Sequence, residues 1–378
     1  MRIGIMTMHR GNSYGSNLQA FALKTFLETC YQAQVEFIDF YPDDSEKNMQ
    51  IGLSGKSLKL LMKKILYYRD NIAFQRKQKL FDVFTAKYFT RSRRFKTLEA
   101  LYSNPPLYEL YVSGSDQVFR VNKTGENYLA NYLDFCPEGA KKIAYAGSFG
   151  QEIIPESRRE RVSKLFKEFA SLSCRELDGC RLIESLIGGE VPFVMDPVNL
   201  LDKDQWRQFA APVTSLEPGF ILVYAILSHE YVGDIAQRVK ELTGKQLVVL
   251  DTSVRSNYKA DAILYDVSPE QFIWLVDNSS FVVTNSFHGT SFSVIFRKSF
   301  FSYRIKAPGF ITRSKDLLES IGLSDRIIDS PGSIEVDKLA IDYSKLEAKI
   351  LKRIQDSKLY LDTATKNLLR AESLEGEI

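Results

Sequence analysis

The chain has 378 residues, of which 44% are hydrophobic and 26% charged, and its net charge is +3. These values are typical of a globular protein with enough apolar mass for sizeable cores, and they exclude a disordered, collagen-like or disulfide-stapled chain. The longest apolar run, Phe220 to Leu227, has eight residues, far fewer than the roughly 20 that span a bilayer.

Short apolar runs alternate with helix-like stretches along the chain. The predicted strands are residues 2–8, 35–40, 110–113, 142–146, 193–195, 220–227, 247–250, 281–284 and 300–303. The predicted helices are residues 16–29, 157–168, 231–243 and 269–278, with a helical tail after Ser344. Continuous apolar strands that alternate with helices predict parallel sheets in α/β domains.

The boundary between two domains is predicted near residues 196–219, because residues 210–219 resemble a linker and a new strand begins at Phe220. We therefore expect an N-terminal Rossmann-like domain over residues 1–205, a second over 216–330, and a C-terminal helical tail over 331–378. The four cysteines show no CxxC spacing, and the N-terminus lacks a small-residue cleavage site. Both features predict reduced thiols and a cytoplasmic location.

A basic segment lies in the first half of the chain. Between Lys56 and Lys96, thirteen lysines and arginines stand against two acids. Its aromatic residues Phe74, Phe81, Phe84 and Tyr88 recur at helical spacing, which predicts a helical insertion whose aromatic face packs inward. A cationic surface of this kind could also contact anionic lipid. No nucleic-acid-binding motif accompanies the segment, so no nucleic-acid partner is expected.

Three loops that follow predicted strands carry polar residues. The first, residues 9–19, leads into a helix that Ser16 or Asn17 is placed to cap, and its polar residues could contact a ligand. The second contains Ser115, Asp116 and Gln117, although an aspartate after a strand is also a common helix cap.

The sequence GLSGKS at residues 52–57 lacks the first glycine of a phosphate-binding loop, and no apolar strand precedes it.

The third loop, residues 284–292, contains the strongest local pattern. His288 stands beside a predicted helix N-terminus, and histidine can deliver a proton or bind an anionic oxygen near neutral pH. A lone histidine is often structural, but here Asn, Ser and Thr residues flank it and cations follow at Arg297, Lys298, Arg304 and Lys306. Arg175 is another cation at a strand end. These cations could converge on one anion-binding site, or they could form a solvated basic rim.

Together these motifs resemble the polysaccharide pyruvyl transferase family. The resemblance rests on residues 12–23, 114–119, 145–150 and 284–290, with Ser173–Glu176 and Asp196-Pro197 between them in the expected order. It implies a glycosyltransferase-B-like fold, in which two Rossmann-like domains face a cleft and a C-terminal helix returns to the first domain. It also implies phosphoenolpyruvate as the donor substrate and a sugar hydroxyl pair as the acceptor, giving a pyruvate ketal with no cofactor and no metal.

The resemblance also implies residue roles. His288 matches the family histidine, with Asp116 as the alternative proton donor, and Arg175 matches an arginine of the donor pocket. Lys306 is the preferred downstream cation, Lys298 and Arg304 are its rivals, and Arg313 lies in a matching stretch. Distant relatives carry a basic residue where this chain has Ser286, which we place with the donor site. The acceptor side is assigned Asn17, Gln19, Ser115 and Gln117.

The resemblance leads to a cytoplasmic transferase that modifies a polysaccharide or lipid-linked glycan precursor, and the basic segment motivates the hypothesis that it works at the inner membrane face. Two other hypotheses remain. A glycosyltransferase could use a nucleotide sugar on the same fold, and a catalytically silent protein could bind carbohydrate or act as a scaffold.

Overall fold

A computed structural model describes residues 1–42, 68–121, 125–150, 153–226, 230–250, 259–303 and 313–375. The first sheet is parallel, with strand order β2-β1-β3-β4. Its strands are β1 (Arg2–Met6), β2 (Gln34–Phe37), β3 (Leu110–Ser113) and β4 (Lys142–Ala144). Single parallel bridges continue it, from Ile143 to Ser171 and from Cys174 to Phe193.

Within the described residues, five helices accompany the first sheet. They are α1 (Tyr14–Tyr31), α2 (Tyr68–Tyr88), α3 (Leu98–Ser103), α4 (Glu156–Lys167) and α5 (Leu177–Ile187). The aromatic face predicted for the basic segment is confirmed on α2, where Phe81 and Phe84 are buried. Phe81 contacts the Tyr14 ring, with centroids 5.0 Å apart. Residues 56–67 of that segment lie outside the described residues.

The second sheet is also parallel, with strand order β10-β9-β8-β5-β6-β7. Its strands are β5 (Ile221–Tyr224), β6 (Leu247–Leu250), β7 (Ala262–Leu264), β8 (Phe281–Thr284), β9 (Ser299–Tyr303) and β10 (Ile327–Ile328). The helices that accompany it are α6 (Lys203–Phe209), α7 (Glu230–Thr243), α8 (Pro269–Asn278), α9 (Phe287–Ile295) and α10 (Arg313–Ile321).

The C-terminal helix α11 (Glu347–Glu375) returns to the first sheet. The Tyr360 hydroxyl donates to the Ala144 carbonyl at 2.9 Å, and the Ser357 hydroxyl accepts from the Met195 amide at 2.9 Å. Leu361 is completely buried. Two parallel α/β sheets and a helix that returns to the first sheet confirm the predicted fold class. No helix in the described parts of the chain has the length and apolarity to cross a membrane.

One buried hydrophobic cluster joins the two sheets, running from β1 through α1 and α6 to β5, α8 and α9. Trp206 on α6 lies at this junction, where its ring centroid is 5.7 Å from that of Phe21 and 5.0 Å from that of Phe292. The indole N–H donates to the Val198 carbonyl at 3.0 Å, so the polar atom of this buried ring is satisfied.

Several local predictions need correction. α1 is capped by Ser13, whose hydroxyl accepts from the Ser16 amide, so Ser16 and Asn17 lie inside the helix. The strand predicted at 193–195 is reduced to a single bridge at Phe193, since Pro192 has no N–H to donate and the Met195 amide donates to Ser357 of the C-terminal helix. The short strands β7 and β10 were not predicted. The domain limits at residues 205, 216 and 330 stay a prediction.

Candidate active site

The polar loops meet where the two sheets face each other. In a parallel sheet, the carboxyl ends of the strands share one edge, where ligands of α/β proteins bind. Helix α1 after β1 contributes Ser16, the loops after β3 and β4 contribute Asp116 and Ser148, and α9 after β8 contributes His288. The first turn of α10 adds Arg313, which lies near Asp116.

A buried network of charges occupies the centre of this site. Arg175 donates from Nη1 to Oδ2 of Asp196 at 2.5 Å, and from Nη2 to Oδ1 of Asp116 at 3.1 Å. Ser115 Oγ accepts from Arg175 at 3.3 Å and donates to Asp196 Oδ2 at 3.0 Å. The Arg175 side chain has no exposed surface, and its guanidinium lies 4.8 Å from the Phe287 ring centroid.

Asp116 has an unusual backbone conformation, with φ at +69°, which is uncommon for a residue with a side chain. This geometry follows β3 directly and presents the carboxylate to three elements. Its Oδ2 accepts from Ser16 Oγ of α1 at 2.5 Å, and Arg313 Nη1 of α10 lies 4.0 Å from Oδ1. Burial alone would raise the pKa of Asp116, but the charges of Arg175, His288 and Arg313 outweigh burial and lower it.

His288 occupies the first turn of α9, which Ser286 caps by accepting from the Gly289 amide at 3.3 Å. The imidazole Nε2 lies 3.6 Å from Asp196 Oδ2. On its other side the ring packs against α1 at Gly15, where an added Cβ would lie 2.0 Å from Nδ1. Only glycine permits this approach, since Cβ atoms do not come closer than about 3 Å to other heavy atoms.

Burial and neighbouring charges also shift the pKa values of the other ionisable groups. Burial would raise the pKa of Asp196, but His288 and Arg175 hold it well below its usual range. The pKa of Arg313 is lowered by burial and by the like charge of Arg175. Burial raises the pKa of Glu176, whose Oε1 accepts from Ser148 Oγ and the Phe149 amide, each at 2.9 Å.

Three charged side chains of this cluster keep some contact with solvent. About a tenth of the side-chain surface is exposed for Asp116 (11%), His288 (10%) and Arg313 (12%), compared with none for Arg175 and Asp196. A molecule that enters between the sheets can therefore meet a carboxylate, an imidazole and a guanidinium together. In the described parts of the chain, no group of three His, Cys, Asp or Glu side chains is arranged to hold a metal ion.

The predicted acceptor residues are placed differently from expectation. Asn17 and Gln19 are completely buried. Asn17 Nδ2 donates to the Gly11 and Ser13 carbonyls, and Gln19 Nε2 donates to Thr7 Oγ1, so both support the loop that precedes α1. Ser115 is also buried within the ion network. Gln117 is partly exposed and accepts from Arg120 at 3.2 Å.

Lys298 is corrected as a donor ligand. It precedes β9 and therefore lies at the amino edge of the second sheet, opposite the edge that carries His288. There it donates to the Asp277 carbonyl. Ser286 is beside His288, but its hydroxyl serves as the helix cap. Arg304 and Lys306 lie outside the described residues.

The predicted functional residues did not include Asp196, Glu176 or Gly15. Asp196 follows an apolar segment and precedes a proline, which is a recognisable signal for a strand end. Glu176 is adjacent to Arg175, within a motif already noted. The requirement at Gly15 depends on a contact with His288, 273 positions further along the chain, which local patterns do not reveal.

A family model matches most of this chain. The family model described as polysaccharide pyruvyl transferase matches residues 14–306. Among curated proteins, none matches this sequence.

Solved structures give only distant likenesses. A UDP-GlcNAc 2-epimerase from Neisseria meningitidis is 11% identical, with a TM-score of 0.46 and coverage of 97% of this chain and 100% of the other. An E. coli heptosyltransferase is 11% identical, with a TM-score of 0.41 and coverage of 92% and 99%. The N-terminal domain of Candida albicans trehalose-6-phosphate phosphatase is 10% identical, with a TM-score of 0.48 and coverage of 98% of each chain.

The assignment of this chain to a family therefore rests on the family-model match. It spans most of the chain and includes α1, Asp116, Arg175, Asp196 and His288. The chain belongs to the polysaccharide pyruvyl transferase family.

Proposed function

We propose that the protein transfers the pyruvate group of phosphoenolpyruvate to two hydroxyls of one sugar, forming a pyruvate ketal and releasing phosphate. The acceptor is a polysaccharide or a lipid-linked glycan precursor. The observation that supports this most is that the side chains of His288, Asp116 and Arg313 are all partly exposed to solvent at the junction of the two sheets. These groups supply an acid, a base and a cation for an anionic donor.

The reaction needs a proton at carbon before a hydroxyl can add. Protonation of the methylene carbon of phosphoenolpyruvate makes it a methyl group and leaves an oxocarbenium ion at C2. One sugar hydroxyl adds to C2 and loses its proton. The C2–O bond to phosphate then breaks, phosphate leaves, and the second hydroxyl adds to the same carbon. The two hydroxyls lose one proton each. These two protons balance the one that carbon takes up at the start and the one that the departing phosphate takes up.

The pKa of Asp116 favours one assignment of acid and base. Because that pKa is lowered, Asp116 is ionised near neutral pH and suits the role of base for the acceptor hydroxyl. His288 is then the proton donor. The ring is held between Gly15 and Asp196, with Nε2 3.6 Å from the Asp196 carboxylate.

The donor is a small trianion, so it requires cations. Arg313 is placed to bind its carboxylate or phosphate, because guanidinium groups recognise both through paired hydrogen bonds. The sequence adds Arg304 and Lys306 as further donor ligands. On the acceptor side, Gln117 and Ser16 are the partly exposed polar side chains beside Asp116.

Binding of phosphoenolpyruvate tests the proposal directly. At a hundredfold excess over its Kd, the donor should stabilise the fold by about 2.7 kcal/mol, measured as a thermal shift and by calorimetry. His288→Ala and Arg313→Ala should each reduce or abolish this shift. Arg181→Ala is the matched control, since Arg181 is exposed on α5 away from the site.

The alternatives predict other outcomes. A shift with UDP and none with phosphoenolpyruvate would contradict pyruvyl transfer and favour a glycosyltransferase. A shift of equal size in the His288 and Arg313 variants would place the donor elsewhere. Release of inorganic phosphate that depends on a sugar acceptor would establish turnover and exclude a silent binding protein.

A further inference from the structure

Helix α10 touches the first-sheet side of the site at a second point, besides Arg313. Oδ2 of Asp316 on α10 accepts from the Leu177 amide at 2.8 Å. Leu177 is the first residue of α5, and it lies 139 positions before Asp316 along the chain. A carboxylate that comes from beside the second sheet therefore caps a helix that accompanies the first sheet.

The N-terminus of α5 has no side-chain cap of its own. Glu176 occupies the cap position, but its side chain makes no capping hydrogen bond. Its Oε1 instead accepts from Ser148 Oγ and the Phe149 amide, each at 2.9 Å. The first N–H groups of a helix need partners outside the helix, and a carboxylate placed there also meets the positive end of the helix dipole. Asp316 provides both from across the junction of the sheets.

The start of α10 is where this contact acts, because Asp316 is one turn along the helix from Arg313. Residues three positions apart share a face of a helix, so both side chains point toward the first sheet. Arg313 Nη1 lies 4.0 Å from Asp116 Oδ1, which is longer than a hydrogen bond. The position of the Arg313 guanidinium therefore depends on the backbone of α10, which the shorter bond from Leu177 to Asp316 holds in place.

We propose that Asp316 is a positioning residue, which caps α5 and thereby holds Arg313 in the donor pocket. The same bond joins α10 to the backbone that directly follows Arg175. The two guanidinium groups lie 4.8 and 5.8 Å from the centroid of one ring, that of Phe287, so both arginines belong to one pocket. This inference rests on the proposed function, since it assigns a further residue to the binding of the same donor.

Donor binding by variants of α10 tests the inference. In Asp316→Ala, the Kd for phosphoenolpyruvate should rise about fivefold, the loss expected when a helix cap is removed, with the binding stoichiometry of the wild type. Asp316→Asn keeps an acceptor oxygen and should restore most of the affinity. Glu319→Ala is the matched control, since Glu319 is an exposed acid on the same helix that pairs with Lys315. An unchanged Kd in Asp316→Ala, or an equal rise in Glu319→Ala, would overturn the inference.

Leu177→Pro removes the same hydrogen bond from the other side. Proline has no N–H and suits the first position of a helix, and Glu176 before it already has the extended conformation that proline requires, with φ at −138° and ψ at 141°. Its effect on the Kd should match that of Asp316→Ala, and the double variant should bind no more weakly than either single one. Effects that multiply would show that the two residues act independently, which contradicts the inference. This variant also gives the answer if Asp316→Ala does not fold.

The background of Arg313→Ala shows whether Asp316 acts through Arg313. There, Asp316→Ala should leave the Kd for phosphoenolpyruvate where Arg313→Ala alone puts it, because the group that Asp316 holds is gone. A further rise of the same size as in the wild-type background would show that Asp316 acts by another route, which contradicts the role given to it here.

A measurement without substrate separates this inference from the proposed function. In protein labelled with 15N-leucine, the amide resonance of Leu177 is the one that Leu177→Pro removes. Asp316→Ala should move that resonance, and Glu319→Ala should not. If the resonance moves but the wild type does not bind phosphoenolpyruvate, the proposed function fails, whereas the contact of α10 with α5 stands. If the wild type binds the donor and the resonance stays in place in Asp316→Ala, the inference fails and the proposed function stands.

Discussion

Asp116 and Asp196 share one arginine, and the difference in their exposure suits them to different chemical roles. Asp116 keeps a solvent-exposed edge beside Arg313, whereas Asp196 has none and uses both oxygens within the protein. A group must touch the substrate to exchange a proton with it. At the residue scale, Asp116 is therefore the candidate catalytic carboxylate, and Asp196 supports His288.

Substitution of Gly15 tests how closely α1 must approach His288. In Gly15→Ala the new methyl group would overlap the imidazole, so the ring must move and kcat should fall at least tenfold. Folding should be retained, because alanine favours a helix over glycine by up to about 1 kcal/mol. The measurement is kcat beside the free energy of unfolding.

Two controls sharpen this prediction. Gly332→Ala should be silent, since an added Cβ there meets no described atom within 4 Å. In the His288→Ala background, Gly15→Ala should have no further effect on kcat, because the clash is gone. An equal loss in both backgrounds would show that the effect does not act through His288.

At the scale of elements, α11 stabilises a sheet edge that the first 200 residues leave incomplete. It closes the segment of single bridges beyond β4 with hydrogen bonds to Ala144, Phe193 and Met195. It also forms an ion pair near its start, where Glu347 binds Arg297 at 2.8 Å beyond α9 of the second sheet. The helix is therefore attached to both sheets.

Leu361 and Leu359 form a matched pair on α11. Leu361 has no exposed surface, whereas 64% of Leu359 is exposed. Leu361→Ala should lower the free energy of unfolding by 2–5 kcal/mol, the usual range for a buried leucine. Leu359→Ala should change it by less than about 0.5 kcal/mol. Urea unfolding measures both, and equal values would contradict the packing of α11 against the first sheet.

Charge is distributed unevenly at the scale of the whole molecule. The segment from Lys56 to Lys96 has thirteen lysines and arginines against two acids, in a chain whose net charge is only +3. The part of it on α2 packs its aromatic face against α1. Arg76 and Lys79 remain on the outside of that helix. A cationic surface of this kind attracts anionic lipid by about 1 kcal/mol per lysine or arginine, which supports the proposed location at the inner membrane face.

Neutralisation of Lys59, Lys63, Lys64 and Arg69 to glutamine should weaken binding to phosphatidylserine vesicles by several hundredfold, since four cations contribute about 4 kcal/mol. Vesicle sedimentation at low and high salt measures the loss. The control replaces four surface cations elsewhere, Arg159, Arg181, Lys345 and Lys352. Equal binding by both variants would contradict a specific role for the basic segment.

Sequence patterns predicted the elements that depend on local composition. β3, β6, β8 and α8 were predicted at their observed bounds, because each is a continuous apolar run or a capped amphipathic segment. β7 and β10 are too short for a pattern, and neighbouring strands stabilise them. Lys298 was misplaced because it is close to His288 along the chain, whereas the direction of β9 puts it at the opposite edge.

The residues of the candidate site divide in the same way, into those that local motifs predict and those whose surroundings depend on distant parts of the chain. His288, Asp116 and Arg313 were predicted from motifs, and they lie together in the structure. The burial of Arg175 could not be predicted, since it depends on residues far away in sequence, whereas Asn17 and Gln19 bond to the loop just before α1. The Arg175–Asp116 pair alone spans 59 positions.

The closure of the first sheet by α11 has a consequence for synthesis on the ribosome. Residues 353–368 emerge only after the whole second sheet has been translated. Until then, the carbonyls of Ala144 and Phe193 lack the partners that α11 supplies. The nascent first unit therefore presents an unfinished edge for as long as the remaining 150 or so residues take to appear, about 8–30 s at 5–20 residues per second. Chaperones that shield apolar surface can bind the nascent chain during that interval.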